Sequence, residues 1–390
     1  MAAFEKHLIL SYGTGIGIGT VSTTATSYGE TTNPAYVYFD STLYPNSTIY
    51  FEALMKTSAG TAYAQLYDTA GNAVSGSEVT TTSTSATRVR SSAITPSTGT
   101  YTVRLKVDNG ANTNTYYSAR IIIVQNSPTI TATETQIPLI AASVTTSSAS
   151  YADPSNIDWG WFRYTSGDWD GSVTVYIDAT FKTSAGTATI GLHDSSNNLV
   201  SSAEVTTTSS SYSRVRSSAI TLSNATDYKI RFKTSSGTVT LADARVVIQQ
   251  TGNPSKTQSY VTLSRATTAA TGTSGTFQDS LHKAYYDSAN WSVGSATWYH
   301  ETNSYASSTT GTYETYNLTG AARTTNSEIA SLNNSTLTRY RSSALTMPTT
   351  QEITERCDSA ATTIYIANAH LIAVLTWTNA ESGGYFHMSV

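Results

Sequence analysis

The chain repeats itself. Lys56-Thr57-Ser58-Ala59-Gly60-Thr61-Ala62 returns as Lys182-Thr183-Ser184-Ala185-Gly186-Thr187-Ala188, 126 positions later. Arg88-Val89-Arg90-Ser91-Ser92-Ala93-Ile94-Thr95 returns at the same interval as Arg214-Val215-Arg216-Ser217-Ser218-Ala219-Ile220-Thr221. It appears again as Arg339-Tyr340-Arg341-Ser342-Ser343-Ala344-Leu345-Thr346, 125 positions further on. Between these marks lie Ser77-Glu78-Val79, Ala203-Glu204-Val205 and Ser327-Glu328-Ile329. Each copy closes on an apolar stretch: Ala119-Arg120-Ile121-Ile122-Ile123, Ala244-Arg245-Val246-Val247-Ile248 and Ala369-His370-Leu371-Ile372. Solenoid repeats run to roughly 20–45 residues, so a unit this long is a domain with its own core. The spacing predicts three homologous domains at 1–127, 128–252 and 253–378, with a tail at 379–390. Turn formers mark the joints at Asn126-Ser127-Pro128 and Gly252-Asn253-Pro254.

Inside each copy the apolar period is two. Ile49, Phe51, Ala53 and Met55 alternate with Tyr50, Glu52, Leu54 and Lys56, and Val175, Ile177, Ala179 and Phe181 alternate with Tyr176, Asp178, Thr180 and Lys182. Such alternation sends the two sets to opposite faces of a strand. Turn signals such as Ala59-Gly60, Ala70-Gly71-Asn72 and Asp108-Asn109-Gly110 cut the strands short, and no window shows helical spacing. The fold class expected is all-β: three tandem, homologous β-sandwich (jelly-roll-like) domains in a row. Residues 11–34, rich in Gly, Ser and Thr, match no strong strand.

Composition narrows the function. Charged residues are 12% of the chain, against about 25% in an average soluble domain, and the net charge is only -4. That excludes a phosphate-binding basic surface and hence a nucleic-acid partner of basic type. No apolar run is long enough for a membrane span. A single Cys excludes an internal disulfide framework. Residues 1–20 carry only Leu8-Ile9-Leu10 as an apolar run, so no secretory signal is expected there. The abundance of Thr, Ser, Tyr and Gly with little charge suits a virion surface or an extracellular or cell-surface setting.

Candidate chemistry is sparse. The six His show no metal-site spacing, and neither a nucleophile elbow nor a phosphate loop is present. No catalytic residue, cofactor or metal is therefore expected. Glu52, Asp178 and Glu301 fall at equivalent strand positions, as do Arg90, Arg216 and Arg341, and Arg104, Arg231 and Arg356. Three copies of one acid–Arg set predict a structural cross-strand ion pair in each domain: Glu52–Arg90, Asp178–Arg216 and Glu301–Arg341. The first copy has no Trp, whereas the second gathers Trp159, Trp161 and Trp169 beside Tyr164, Asp158, Asp168 and Asp170. Flat rings flanked by carboxylates stack on sugar faces and accept hydroxyl hydrogen bonds, so Trp159, Trp161, Tyr164, Trp169, Asp168 and Asp170 form the candidate glycan site. The alternative is that these rings cap a core. Asp168-Trp169-Asp170-Gly171 also has the oxygens of a calcium turn without the rest of an EF-hand loop. Cys357 aligns with Leu105 and Phe232 and is expected to be a buried, inert thiol. Asn-x-Ser/Thr sequons occur at Asn46, Asn224, Asn290, Asn317 and Asn334. Tyr385 and Phe386 follow a Gly pair in the tail, an arrangement suited to insertion into a neighbouring subunit.

The Tyr–acid strand, the Lys-Thr-Ser-Ala-Gly-Thr turn and the Arg-x-Arg-Ser-Ser-Ala strand resemble the tandem jelly-roll-like β-sandwich modules, similar to carbohydrate-binding modules, of phage structural and bacterial surface proteins. The resemblance spans residues 36–125 and 159–250, and more loosely 285–375, where Glu355 stands at the apolar position of Val103 and Ile230. It implies a non-enzymatic structural surface protein that self-assembles or decorates a virion, fibre or cell-surface filament. Its partners would be copies of itself or a capsid or surface scaffold. The alternative it implies is a glycan-binding adhesin.

Overall fold

The computed structural model describes residues 3–12, 21–31, 34–126, 130–140, 143–154, 159–271, 277–306, 311–318, 320–359 and 363–378. The tail, Ser127 and Pro128 of the first joint, and Asp158 lie outside the described residues. The protein is all-β. Its helical turns among the described residues are three short 3-10 turns at Ser41–Leu43, Ser166–Asp168 and Ser288–Trp291. Among the described residues no helix is long and apolar enough to cross a membrane.

The main strands fall into three sets of eight. The first set is β1 (Ala3–Tyr12), β2 (Val37–Phe39), β3 (Ser47–Thr57), β4 (Ala62–Asp68), β5 (Val79–Thr81), β6 (Thr87–Arg90), β7 (Gly99–Val107) and β8 (Asn114–Asn126). It forms one antiparallel sheet in the order β1-β8-β3-β6 and a second in the order β2-β7-β4-β5. The next set is β9 (Ala132–Pro138), β10 (Phe162–Tyr164), β11 (Ser172–Thr183), β12 (Ala188–Asp194), β13 (Leu199–Thr207), β14 (Ser213–Arg216), β15 (Thr226–Thr234) and β16 (Val239–Thr251). The last is β17 (Lys256–Thr271), β18 (Gln278–Tyr286), β19 (Ser295–Ala306), β20 (Gly311–Asn317), β21 (Ile329–Leu332), β22 (Thr338–Arg341), β23 (Gln351–Ser359) and β24 (Thr363–Thr376). Both repeat the pairing of the first set. An eight-strand unit whose sheets run 1-8-3-6 and 2-7-4-5 is a jelly roll. Residues 11–34 do contribute strands: Val21–Thr23 pairs with β8 and Gly29–Glu30 with β7, two short edge additions without apolar alternation.

The repeated Ala-Gly turns have a steric reason. Gly60 and Gly186 sit at positive φ (61° and 65°), and a side chain there would strike Asp108 and Asn112, or Ser235 and Ser236.

The two sheets of each sandwich differ in burial. In β4 and β7 buried and half-buried residues largely alternate, as expected where one face meets the core and the other meets solvent. In β8 and β9 nearly every residue is buried on both faces. The reason lies in how the sandwiches meet. They do not stand in a row: β1, β9 and β17, the first strands of the three sandwiches, each touch the other two. The 1-8-3-6 type of sheet therefore packs its inner face on its own core and its outer face on the neighbouring sandwiches.

Candidate functional site

The outer faces of these sheets carry the repeated acid–Arg sets. Glu52 pairs in register with Arg90, Asp178 with Arg216 and Glu301 with Arg341. Glu52 Oε2 accepts from Arg90 Nε at 3.0 Å and from Arg88 Nη1 at 2.6 Å, and Arg120 lies 3.7 Å away. Asp178 accepts from Arg216 Nη2 at 2.8 Å and from Arg214. Glu301 accepts from Arg341 Nε at 2.8 Å and Arg339 Nη2 at 2.5 Å. The three acids are each 3% exposed, so these are buried networks rather than surface pairs. Burial alone would raise the Glu52 carboxyl, but Arg120, Arg90 and Arg88 outweigh it and hold the group below its ordinary range. Arg339 and Arg341 do the same for Glu301.

The same arginines reach across to the next sandwich. Arg214 and Arg216 of the middle sandwich lie over the Tyr38 ring of the first, at 4.7 and 5.3 Å. Arg88 of the first lies over Tyr285 of the third at 4.4 Å and touches Glu352 at 3.4 Å. Tyr38 and Tyr285 hold equivalent register positions, opposite Thr100 and Glu352. The middle sandwich has Arg163 there, turned to Asp227 at 3.1 Å, and the third contact uses different atoms. Asn303 of the third sandwich accepts from Trp161 N at 3.0 Å and donates to Trp161 O at 3.2 Å. Gly160 lets that strand approach, because a side chain there would strike Asn368. The contacts thus run second to first, first to third and third to second, a closed cycle.

The cycle closes on a polar hub. Lys6, Thr135 and Ser259 occupy the same register position, opposite Ile123, Ile248 and Ala373. Lys6 Nζ, in a residue 1% exposed, donates to Thr135 Oγ1 at 2.5 Å, Thr257 Oγ1 at 2.9 Å and the Gln258 carbonyl at 2.5 Å. Ser259 donates to the Glu5 carbonyl, and Thr135 donates to the Gln258 carbonyl at 2.8 Å. Burial pushes the Lys6 ammonium well below its ordinary value, with Glu134 opposing. A buried cation is tolerated because all three of its donors are matched. Around the hub, Arg245 donates to the Ile9 carbonyl at 3.0 Å and to Gln136 at 2.9 Å, and Glu5 accepts from Asn290 at 2.6 Å. His7 lies 2.9 Å from Glu5, and burial lowers its pKa despite that acid.

The middle-sandwich aromatic cluster faces inward. Trp159, Tyr164 and Trp169 belong to its hydrophobic core, with Trp161 packed against it. Lys229 caps the Trp159 and Trp161 rings at 5.2 and 5.0 Å. Asp170 accepts from the Ser255 and Lys256 amides at 2.8 and 2.9 Å, and Asp168 accepts from Gln258 at 2.5 Å. Both carboxylates therefore tie the 3-10 turn to the start of β17. Among the described residues no three His, Cys, Asp or Glu converge as a metal site. Cys357 is buried, and burial, aided by Glu355 and Asp358, pushes its thiol up to about 12.

No family model and no curated protein matches the sequence. Among solved structures, a structure of the infectious bursal disease virus Gx strain is 9% identical at a TM-score of 0.22, covering 96% of this chain and 80% of that one. The triple jelly roll of an archaeal virus turret is 8% identical at 0.20, covering 95% and 92%. The tandem CBM22 domains of Paenibacillus barcinonensis Xyn10C are 12% identical at 0.20, covering 63% and 99%. At these scores the likenesses carry nothing about function.

Proposed function

We propose that this chain is a non-enzymatic structural protein, a building block of a virion surface, fibre or cell-surface filament that packs against copies of itself or a scaffold. On this reading it consists of three homologous domains, 1–127, 128–252 and 253–378, followed by a tail at 379–390. The observation that carries the reading is the closed cycle of interfaces around Lys6: Arg214 and Arg216 bind the middle sandwich to the first, Arg88 the first to the third, and Asn303 the third to the middle. The result is a preassembled block from a single chain. Its low net charge leaves little repulsion between such blocks, which favours close packing. Negative-stain microscopy of the purified protein tests this. Ordered rings, sheets or filaments at raised concentration are expected. Isolated particles at every concentration, together with tryptophan fluorescence that responds to a polysaccharide panel, would support the glycan-binding alternative instead.

A further inference from the structure

The core of the third sandwich is polar where the other two are apolar. His300 stands at the position of Phe51 and Ile177, Thr315 at that of Leu66 and Leu192, and Glu355 at that of Val103 and Ile230. Thr315 and Glu355 are register partners on neighbouring strands, and His300 reaches Glu355 from the facing sheet. All three are 0% exposed. The apolar core of the third sandwich is correspondingly split into two clusters, one around Trp298 and Leu375 and one around Tyr313 and Ile364. The first and middle sandwiches each have one main core.

Hydrogen-bond accounting shows what this interior requires. His300 Nδ1 lies 3.1 Å from the Ser327 carbonyl, which can only accept, so Nδ1 is the donor there, and in a neutral imidazole Nε2 then presents a lone pair. Nε2 faces a Glu355 oxygen at 3.8 Å, too far for a hydrogen bond. Neither Glu355 oxygen, His300 Nε2 nor Thr315 Oγ1 has a hydrogen-bond partner among the described residues. A buried carboxylate and imidazole left in this way are costly. A guest that donates two hydrogen bonds and accepts one gives partners to Nε2, to one Glu355 oxygen and to the Thr315 hydroxyl, and that is the chemistry of water. A metal ion is disfavoured because only one imidazole and one carboxylate converge.

We propose that His300, Thr315 and Glu355 form an internal site for a single ordered water, which donates to Nε2 and to the carboxylate and accepts from the threonine hydroxyl. The repeat itself supplies the control. His300→Phe, Thr315→Leu and Glu355→Val together restore the residues of the first sandwich at these three positions. The test is a high-resolution crystal structure of the full chain, paired with thermal unfolding of this triple variant. Expected are density for a water within hydrogen-bond reach of all three side chains, its loss in the variant, and a higher midpoint for the variant. A dry wild-type site with His300 bonded directly to Glu355, or an anomalous metal peak there, would overturn the proposal. Should the triple variant not fold, the wild-type density alone decides.

Discussion

The first and third sandwiches share strand order, register and acid–Arg network, yet their interiors obey different chemistry. At matched positions Phe51, Leu66 and Val103 make a continuous apolar core, while His300, Thr315 and Glu355 divide theirs. The jelly roll therefore does not require a uniformly apolar interior. Its inward polar groups carry a desolvation cost that the proposed water would offset. Each core also takes in a neighbour's residue: Ala132 joins that of the first sandwich, Tyr260 and Ile372 that of the middle one, and Phe4 and Ile130 that of the third.

The sharpest way to break this comparison is to transplant it. Phe51→His with Val103→Glu places two polar groups in a core with no matching Thr at Leu66. This should cost on the order of 5 kcal/mol and abolish cooperative unfolding of the first sandwich, as read by urea denaturation. A smaller effect compares the networks. Glu52 faces three arginines and Glu301 two, so Glu52→Ala should cost about 3 kcal/mol and Glu301→Ala less, by the same assay. Both carboxyls are held below the ordinary value of 4.5, so their contribution is present above that pH and is lost as acid protonates the folded form. Each variant should flatten the acid limb of a stability–pH curve.

His7 gives a smaller effect with a different window. Its folded pKa is lowered from 6.5, so as pH falls below that value the unfolded chain takes up a proton first and stability declines. Gln136 holds the equivalent position opposite Val247. His7→Gln should therefore remove about 1 kcal/mol of pH dependence between neutral and mildly acidic conditions, measured by thermal melts. The mildest difference is dynamic. Amides of β19, β20 and β23 should exchange up to about tenfold faster than those of β3, β4 and β7 in hydrogen-exchange mass spectrometry. Equal protection would mean that the polar interior costs the third sandwich nothing.

The sequence carried much of this. Repeat marks gave the strand positions, because a period of two and turn residues act locally. Glu355 already stood out against Val103 and Ile230. Following the inward faces of β19, through His300 and Ser304 against Phe51 and Met55, and of β20, through Thr315 against Leu66, would have exposed the polar core. The hub was not legible. Lys6, Thr135 and Ser259 share a register position but no chemistry, and they meet only through long-range packing. The direction of the tryptophans was not legible either, since alternation says that Trp159 and Trp161 share a face but not which face is covered.

The claim underlying all of this is that three sandwiches close around one hub instead of trailing in a line. Small-angle X-ray scattering on the size-selected single chain tests it directly. A closed body of 390 residues should give a radius of gyration of about 21 Å, whereas three separate sandwiches in a row would exceed roughly 30 Å. The smaller value, moving toward the larger when Lys6 is replaced by glutamate, is the predicted result. A value near the larger one for the unaltered chain would contradict the account.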